Sequence, residues 1–394
     1  MDPAKAEALG RLPAFGETAH SVCKICGSKA DAFDAADLYR MCRSGPRPQP
    51  HALGFSGIAV SYFRCSNCDF LFTNYFDDWT AEDFSKYIYN DDYIKADPEY
   101  VEVRPRQFAD AFAPLLQDRT STRIIDYGSG TGGFAKAMQG YHFDQVACFD
   151  PFSYPSRPSS EFDCVCCFEV LEHTVDPVAT LRDMLSLVHD RGLIFRTQCL
   201  QPDDIEIQRC AWWYIGPRNG HISTFSLRTL FYLANFFGLR LHQLPPFYLF
   251  AKSEEGPLFE ALRGKLSIAP RALRLSAGED PACWHEREYG PSGGFAWSSA
   301  QRLVWRDQLL HRGRNVIEIP FLFQVREGFA SGCEVSVDSR ALPSRVQGMK
   351  IVAEVDLPAD AIFEISLTQP QLRAPCEFGR PDARLLGLAL PLLG

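Results

Sequence analysis

Short apolar runs and amphipathic stretches alternate through the middle of the chain. The apolar runs cover residues 123–127, 145–149, 162–168 and 193–197, and two later ones cover 239–244 and 247–251. Parallel strands that are covered on both faces are continuously hydrophobic, so each of the first four runs predicts a buried strand. The two later runs are predicted to complete the sheet. The alternation with helical stretches predicts an α/β domain with a Rossmann-like, doubly wound parallel sheet.

Capping residues mark where helices begin in this pattern. Asp176 followed by Pro177 predicts one helix start, because Asp accepts from the first turn and proline suits the first helical position. Ser226 predicts a second start. Thr80, with Asp83 three residues later, predicts a third.

A glycine-rich turn follows the first strand. Asp126 lies within that strand, and the turn contains Gly128, Gly130, Gly132 and Gly133. Glycine lets the backbone pass close to a ligand, because a Cβ atom would collide with it. Asp150 ends the next apolar run, about 20 residues further on, where nucleotide-binding folds place an acid on the ribose hydroxyls. Strand, turn and acid together predict a nucleotide-binding unit.

Two cysteine pairs stand near the N-terminus. Each pair has the spacing C-x2-C, and the four cysteines are Cys23, Cys26, Cys65 and Cys68. Four thiolates satisfy a tetrahedral structural Zn²⁺ site, so the pattern predicts a zinc ribbon. Two disulfides or unligated thiols are the alternatives. Cys42 and His51 lie between the pairs, as ligands or as ordinary loop residues.

The C-terminal third has a different pattern. Its apolar residues alternate with polar ones in short runs, and polar turns separate the runs, which predicts an antiparallel β-sandwich or jelly roll. Trp284, Tyr289, Trp297 and Trp305 lie early in this region. They are consistent with carbohydrate binding or with core packing. We therefore predict three domains: a zinc ribbon at 1–78, an α/β domain at 79–253 and a β-sandwich at 254–394.

Composition narrows the class of protein. The chain has 394 residues and a net charge of −9, which argues against a general nucleic-acid binder because such proteins carry a basic face. No apolar run is long enough to span a bilayer, and the first residues lack a signal-peptide core. We expect a cytoplasmic protein. The sequence leaves its oligomeric state open.

The motifs together resemble class I S-adenosylmethionine-dependent methyltransferases. The resemblance covers residues 101–252 and rests on the glycine turn, on Asp150 and on the string FEVLEH at 168–173. It implies that Asp126, Gly128, Gly130 and Gly132 hold the methionine part of S-adenosylmethionine and that Asp150 binds its ribose. It also implies that Phe168 and Glu169 line the cofactor near the methyl group.

One segment departs from that family pattern. Only residues 151–161 separate Asp150 from the next strand, so the usual strand and helix, with their adenine contact, are shortened or missing. Phe152 or Tyr154 is a candidate to stack on the adenine instead.

Two histidines are candidate general bases. His221 lies in a loop before a helix, and in sugar and small-molecule methyltransferases of similar pattern a loop histidine there faces the acceptor. His173 follows the cofactor strand, and Glu172 either orients one of the two histidines or is a solvated residue. An imidazole can take the proton of a hydroxyl acceptor as the methyl group transfers. A structural role for each histidine is the alternative.

The leading hypothesis is methyl transfer to a hydroxyl of a sugar, nucleotide-sugar or glycan acceptor. The chain is similar to bacterial sugar and polysaccharide methyltransferases in its combination of domains. It also resembles sugar C-methyltransferases that act on nucleotide-linked keto-sugars, where Tyr89 or Tyr93 could assist the base. A non-catalytic protein that binds cofactor or glycan is the third alternative.

Overall fold

The computed structural model describes most of the chain. The described residues are 20–42, 53–188, 192–200, 205, 208–252, 257–262, 271–275, 277, 283–286, 288–290, 293–310, 312–378 and 381–391. His51 and most of the predicted linker at 253–257 lie outside them. The chain divides into two compact units, Met1–Leu200 with Gln208–Leu266 and Gln201–Ile207 with Ser267–Gly394. The predicted zinc ribbon and α/β domain thus share one unit, and the three-domain division stays a prediction.

The first unit begins with a five-stranded antiparallel sheet of order β1-β2-β3-β4-β9. Its strands are β1 (His20–Val22), β2 (Lys29–Asp37), β3 (Ala59–Cys65), β4 (Leu71–Thr73) and β9 (Ser223–Thr224). Strand β9 comes from far along the chain and pairs with β4 through Leu71 with Thr224 and Phe72 with Ser223. This pairing ties the segment after His221 to the cysteine-bearing sheet.

A six-stranded sheet of order β10-β11-β8-β7-β5-β6 forms the centre of the first unit. Its strands are β5 (Ile124–Tyr127), β6 (Val146–Phe149), β7 (Cys164–Phe168), β8 (Leu193–Arg196), β10 (Arg240–Leu244) and β11 (Phe247–Ala251). Strands β5 to β8 pair in parallel, as predicted. Strands β10 and β11 complete the sheet, as predicted, and both of their pairings are antiparallel. Only residues 245 and 246 connect them, which is too short for a parallel crossover.

Short helices connect and cover these strands. They are α1 (Ala81–Tyr87), α2 (Tyr93–Ala96), α3 (Val103–Phe112), α4 (Gly133–Gln139), α5 (Pro177–Leu185), α6 (Leu227–Phe236) and α7 (Pro257–Leu262). The predicted caps are confirmed. Thr80 and Ser226 each form a reciprocal capping box at α1 and α6, and the Asp176 side chain accepts from the backbone of Ala179 at α5.

The segment between Asp150 and β7 forms no helix or extended strand in the described residues. It folds back on itself through a single bridge between Asp150 and Tyr154, in which each backbone N–H donates to the other residue's carbonyl. The prediction that the usual elements are shortened here is therefore consistent with the structure.

The second unit is rich in β-strands. They are β12 (Arg271–Arg274), β13 (Glu288–Gly290), β14 (Gly293–Trp297), β15 (Arg302–Leu310), β16 (Gly313–Pro320), β17 (Phe323–Gln324), β18 (Glu334–Val337), β19 (Arg340–Leu342), β20 (Ser344–Val346), β21 (Lys350–Leu357), β22 (Ala361–Thr368) and β23 (Leu388–Pro391). The described strands form three four-stranded sheets, of orders β12-β16-β21-β20, β13-β14-β23-β17 and β15-β22-β18-β19.

Pairing in these sheets is antiparallel except between β12 and β16. A common core draws on all three sheets and includes Ile317, Val335, Ile365 and Leu388. The strand content agrees with the predicted β-rich domain, and the sandwich or jelly-roll arrangement stays a prediction. Trp284 is buried in this core, and Trp297 and Trp305 pack against it, so core packing accounts for these three aromatic residues.

Candidate active site

The glycine turn lies where β5 ends and α4 begins. Gly128, Gly130 and Gly132 all have positive φ angles, of 75°, 51° and 78°. A Cβ atom on Gly128 would lie 2.4 Å from the Val170 side chain, so the protein itself requires glycine there. At Gly130 a Cβ would meet nothing within 4 Å. Open space therefore lies over Gly130, which is where a ligand can approach the backbone.

Buried polar atoms beside the turn lack partners among the described residues. They are Asp126 Oδ2 and Ser129 Oγ. Burial, and then the charge of Asp150, raise the pKa of Asp126 to about 7. A buried polar atom without a partner is costly. A ligand with a cationic or hydrogen-bonding group would satisfy these atoms, which fits the amino-acid part of S-adenosylmethionine.

The Asp150 side chain is engaged by the backbone around it. It accepts from the N–H groups of Gly130 at 3.1 Å, Phe152 at 2.9 Å and Ser153 at 2.9 Å. These contacts fix the glycine turn to the segment that follows β6. They also use several of the carboxylate lone pairs that the ribose was predicted to occupy. Ribose binding by Asp150 stays a prediction.

Phe168 and Glu169 at the end of β7 have different surroundings. The ring of Phe168 packs among four other phenylalanines, with its centroid 4.8 Å from that of Phe247 and 5.1 Å from that of Phe134. Glu169 has a φ of 54°, which is unusual for a residue with a side chain, and Arg196 Nε lies 3.7 Å from its Oε1. Phe168 thus belongs to the core, whereas Glu169 presents a carboxylate near the turn.

The four predicted metal ligands lie together. Their sulfur atoms all fall within 4.8 Å of one another, with 3.6 Å between Cys23 and Cys68 and 3.4 Å between Cys26 and Cys65. Disulfide sulfurs are only about 2.05 Å apart, so the arrangement is not a pair of disulfides. A tetrahedral Zn²⁺ with Zn–S bonds of about 2.3 Å separates its sulfurs by roughly 3.8 Å, which these residues fit. Cys42 lies elsewhere, beside His221.

His221 is held by several contacts in the loop before β9. Its Nδ1 lies 2.8 Å from the carbonyl oxygen of Tyr214 and 3.1 Å from Cys42 Sγ, and Tyr62 donates to its backbone carbonyl at 2.8 Å. A carbonyl only accepts, so Nδ1 carries the hydrogen and Nε2 keeps a free lone pair. Burial lowers the pKa of His221 to about 4, and the imidazole is therefore neutral.

His173 lies against His221. Their ring centroids are 4.8 Å apart with the rings nearly perpendicular. His173 Nδ1 is 3.0 Å from the hydroxyl of Tyr89, and burial lowers the pKa of His173 well below its usual value. Burial raises the pKa of Tyr89. The structure thus brings both predicted bases together and adds the phenol of Tyr89.

Glu172 makes no hydrogen bond to either histidine among the contacts described, so the prediction that it orients one of them has no direct support. It contacts the hydroxyl of Tyr214, which also lies 2.8 Å from Glu169 Oε2. Ligand atoms of Glu172, His173 and His221 nevertheless fall within 4.8 Å of one another. We call the set Tyr89, Glu169, Glu172, His173, Tyr214 and His221 the histidine cluster.

The loop that carries His221 is anchored by residues that the sequence did not single out. Arg40 donates to the carbonyls of Ile215 at 3.0 Å and Ala211 at 2.9 Å, and Arg218 donates to that of Ile88 at 2.8 Å. Both arginines are buried. The one feature of the sequence that could have indicated an anchored loop is the string GPRNGH, in which polar residues are flanked by glycines. Polar residues of this kind are buried only when they are paired.

Comparison with known proteins identifies the domain. Residues 100–244 match a family model described as a methyltransferase domain. No curated protein sequence matches the chain. The model spans the glycine turn, Asp150 and the histidines of the cluster. Together with the mixed α/β sheet, this match supports an S-adenosylmethionine-dependent methyltransferase domain in residues 100–244.

Several solved structures are similar to part of the chain. Magnesium protoporphyrin IX methyltransferase from Synechocystis PCC 6803, with bound S-adenosylhomocysteine, is 14% identical, with coverage of 45% of this chain and 97% of that one and a TM-score of 0.30. Human N-acetylserotonin methyltransferase in complex with S-adenosylmethionine is 14% identical, with coverage of 38% and 54% and a TM-score of 0.30. Mitomycin 7-O-methyltransferase is 14% identical, with coverage of 38% and 53% and a TM-score of 0.29.

The chain spans only about half the length of the last two structures. The classification therefore rests on the family model and not on these likenesses. Across the residues that the structure describes, no helix is both long enough and apolar enough to cross a membrane.

Proposed function

We propose that the protein methylates a hydroxyl group of a sugar, nucleotide-sugar or glycan acceptor, with His221 as general base. The observation that carries this proposal is the hydrogen bond from His221 Nδ1 to the Tyr214 carbonyl at 2.8 Å. It leaves Nε2 unprotonated in a buried, neutral imidazole. A neutral imidazole with a fixed orientation is the form that can accept the proton of a hydroxyl.

S-adenosylmethionine, when bound, supplies an activated methyl group on a sulfonium ion. The residues proposed to hold it are Asp126, the glycines of the turn, Asp150 and Glu169. The open space over Gly130 and the buried Asp126 Oδ2 without a partner support this assignment. The protein's own contribution is then to orient the acceptor, to exclude water and to remove one proton.

Zn²⁺ at the four cysteines is proposed to have a structural role. Four thiolates leave no open coordination position for a substrate. Strand β3 carries Tyr62, which donates to the His221 backbone, and ends at the metal-binding Cys65. The metal would therefore stabilise the sheet on which the histidine loop rests.

A second candidate reaction is C-methylation of a nucleotide-linked keto-sugar. The 3.0 Å contact between Tyr89 and His173 favours it, because the phenol stands in the same cluster as the proposed base. Removal of a carbon-bound proton next to a carbonyl requires a base and a hydrogen-bond donor for the developing enolate oxygen. His221 and Tyr89 would provide these two roles.

The test combines an acceptor screen with isotope exchange. Purified protein is incubated with S-adenosylmethionine and a panel of nucleotide sugars, keto-sugars and short glycans, and mass spectrometry records the gain of one methyl group. Methylation of a hydroxyl supports the first reaction. Methylation at carbon, with loss of deuterium from the position next to the carbonyl, supports the second. Turnover only with acceptors that are not sugars would refute both acceptor assignments.

A further inference from the structure

The hydroxyl of Tyr214 lies between two carboxyl groups. It is 2.8 Å from Glu169 Oε2 and is also in hydrogen-bond contact with Glu172 Oε1. A tyrosine hydroxyl carries a single hydrogen, so it can donate to only one of them. The other contact becomes a full hydrogen bond when the carboxyl side supplies the hydrogen. A proton on one of the two carboxyl groups lets both contacts be full hydrogen bonds and removes the repulsion between two buried like charges.

We infer that Glu172 is a positioning residue, held as a neutral carboxylic acid that donates to Tyr214, while Tyr214 donates to the ionised Glu169 and holds His221. The kinetic part of this inference rests on the proposed function. The protonation state itself does not, because it follows from the contacts of the carboxyl groups.

Surroundings decide which group carries the proton. Glu172 is 0% exposed, and its Oε2 makes no hydrogen bond of ordinary length among the described residues, with only the Thr197 hydroxyl near its carboxyl group besides Tyr214. No arginine or lysine that the structure describes forms an ion pair with it. Glu169 is less buried and has Arg196 at 3.7 Å. Burial and the charge of Glu169 raise the pKa of Glu172 well above its usual range. A neutral carbonyl oxygen can remain without a partner at much lower cost than a buried carboxylate.

Local backbone geometry brings the two acids together. Glu169 follows β7, and a 3-10 turn at Leu171–His173 comes directly after it. Glu169 has a positive φ just before this turn, and the carboxyl groups of Glu169 and Glu172 meet at the Tyr214 hydroxyl. Like charges so close cannot both be present in a buried site, and they share a proton instead.

Tyr214 connects the two glutamates to His221. Its backbone carbonyl accepts from Nδ1 of His221, and the two ring centroids are 4.3 Å apart. A change in the position of Tyr214 would therefore move the imidazole. The contacts with Glu169 and Glu172 fix the hydroxyl end of Tyr214. The backbone carbonyl of Tyr214 sets the tautomer of His221, the proposed base.

The test uses the same substitution at both acids. Glu172→Gln replaces an acid O–H with an amide N–H that can still donate to Tyr214, so we expect kcat/KM within about 3-fold of wild type. Glu172→Ala removes the donor, and we expect kcat to fall about 10-fold while cofactor KM changes little. Glu169→Gln removes the ionised acceptor and should also cost about 10-fold or more. Glu82→Gln, at an exposed position of α1, is the control.

Two readouts are independent of any acceptor. An infrared band from a protonated carboxyl group should be present in the wild-type protein, should remain in Asp126→Asn and should be absent in Glu172→Gln. The second is the free energy of unfolding against pH. A raised folded-state pKa gives stability that is present below the unfolded value of about 4.3 and is lost as pH rises through the folded value. Glu172→Gln should flatten that decline.

Other groups near Glu172 must be accounted for in this pH dependence. Its titratable neighbours are Glu169, Tyr214, His173, His221, Tyr89, Cys167, Cys42 and Cys199. Glu172→Gln keeps all of these groups but changes the charge that they face. The expected difference is therefore due to Glu172 together with the neighbours coupled to it, Glu169 first.

Three results would overturn the inference. Glu172→Gln could be as inactive as Glu169→Gln, which would mean that Glu172 works as a carboxylate. Metal analysis could find a second equivalent that Glu172→Gln removes, which would make Glu172, His173 and His221 metal ligands. If Glu172→Gln fails to fold, the absence of a protonated-carboxyl band in Asp126→Asn at the pH of the activity assay decides against it.

Discussion

The cysteine site and the histidine cluster are both built from residues distant in sequence, but they satisfy their polar atoms differently. The four thiols contact mainly one another, through Cys23 with Cys68 and Cys26 with Cys65. The histidine cluster contains donors and acceptors that pair with one another and with backbone carbonyls. A site of the first kind needs a metal to become stable, whereas one of the second kind can form without a ligand.

This difference implies that the cysteine site contributes to folding and that the histidine cluster contributes to the chemistry. Four equal ligands leave no open position and no spare lone pair, so the cysteine site has no reactive group. The cluster leaves the Nε2 lone pair of His221 and holds the Tyr89 hydroxyl against His173. Substitutions at the first site should therefore affect stability before activity, and substitutions at the second should do the reverse.

The largest effect is expected for Cys65→Ser. One lost thiolate should reduce zinc from about one ion per chain to nearly none, because the site has no spare ligand. Hydrogen exchange should then become fast in β2 and β3. The loop of His221 should loosen as well, because Tyr62 on β3 donates to its backbone. Elemental analysis and hydrogen-exchange mass spectrometry provide the measurements.

Cys376→Ser is the matched control, since Cys376 is exposed and belongs to the second unit. It should leave the zinc content and the exchange pattern unchanged. A Cys65→Ser protein that keeps slow exchange in β3 without metal would abolish the contrast between the two sites.

His221→Ala should come next in size. Loss of the base is expected to reduce kcat by about 100-fold or more, with little change in the affinity for S-adenosylhomocysteine. Steady-state kinetics with the acceptor found in the screen and calorimetric binding measure the two quantities. His20→Ala, at an exposed position of β1, is the control. An unchanged kcat would make His221 a structural residue.

The features that the sequence predicted correctly depend on the spacing of residues that are close together in the chain. The strands β5 to β8, the caps at Thr80, Asp176 and Ser226 and the two C-x2-C pairs all depend on residues near one another in sequence, and the structure agrees with each. The direction of β10 and β11 was not predicted, although the two-residue connection between them, at 245 and 246, is too short for parallel pairing.

The histidine cluster shows where sequence reasoning ends. His173 and His221 were predicted individually, but their contact depends on the pairing of β4 with β9, which has no local signature. The link between Tyr214 and the two glutamates is likewise a tertiary contact. The role expected of Glu172 changed because burial, which the sequence does not reveal, decides whether a carboxyl group is charged.

Asp150→Ala is expected to weaken cofactor binding by roughly 10-fold or more. The substitution removes the predicted ribose acceptor and also the contact to the Gly130 backbone that fixes the turn. Calorimetric titration with S-adenosylhomocysteine measures the change. Asp144→Ala, at an exposed position before β6, should bind normally. Normal binding by Asp150→Ala would show that Asp150 organises the turn without contacting the ribose.

The smallest effect is expected from proton release at Asp126. Its pKa is raised to about 7 by burial and by the charge of Asp150, and its Oδ2 lacks a partner among the described residues. A cationic cofactor stabilises the ionised form, so affinity for S-adenosylmethionine should rise a few-fold as pH rises through about 7. Calorimetry in two buffers of different ionisation enthalpy should detect release of a fraction of a proton at pH 7.

Asp126→Asn should abolish this release, because the amide does not titrate. Asp150→Ala should reduce it at pH 7, since removal of the neighbouring charge lowers the pKa of Asp126 and leaves less of it protonated. Binding without proton release in the wild-type protein would mean that the cofactor's cationic groups lie away from Asp126. The glycine turn would then resemble the cysteine site, with polar atoms that serve the fold and not the ligand.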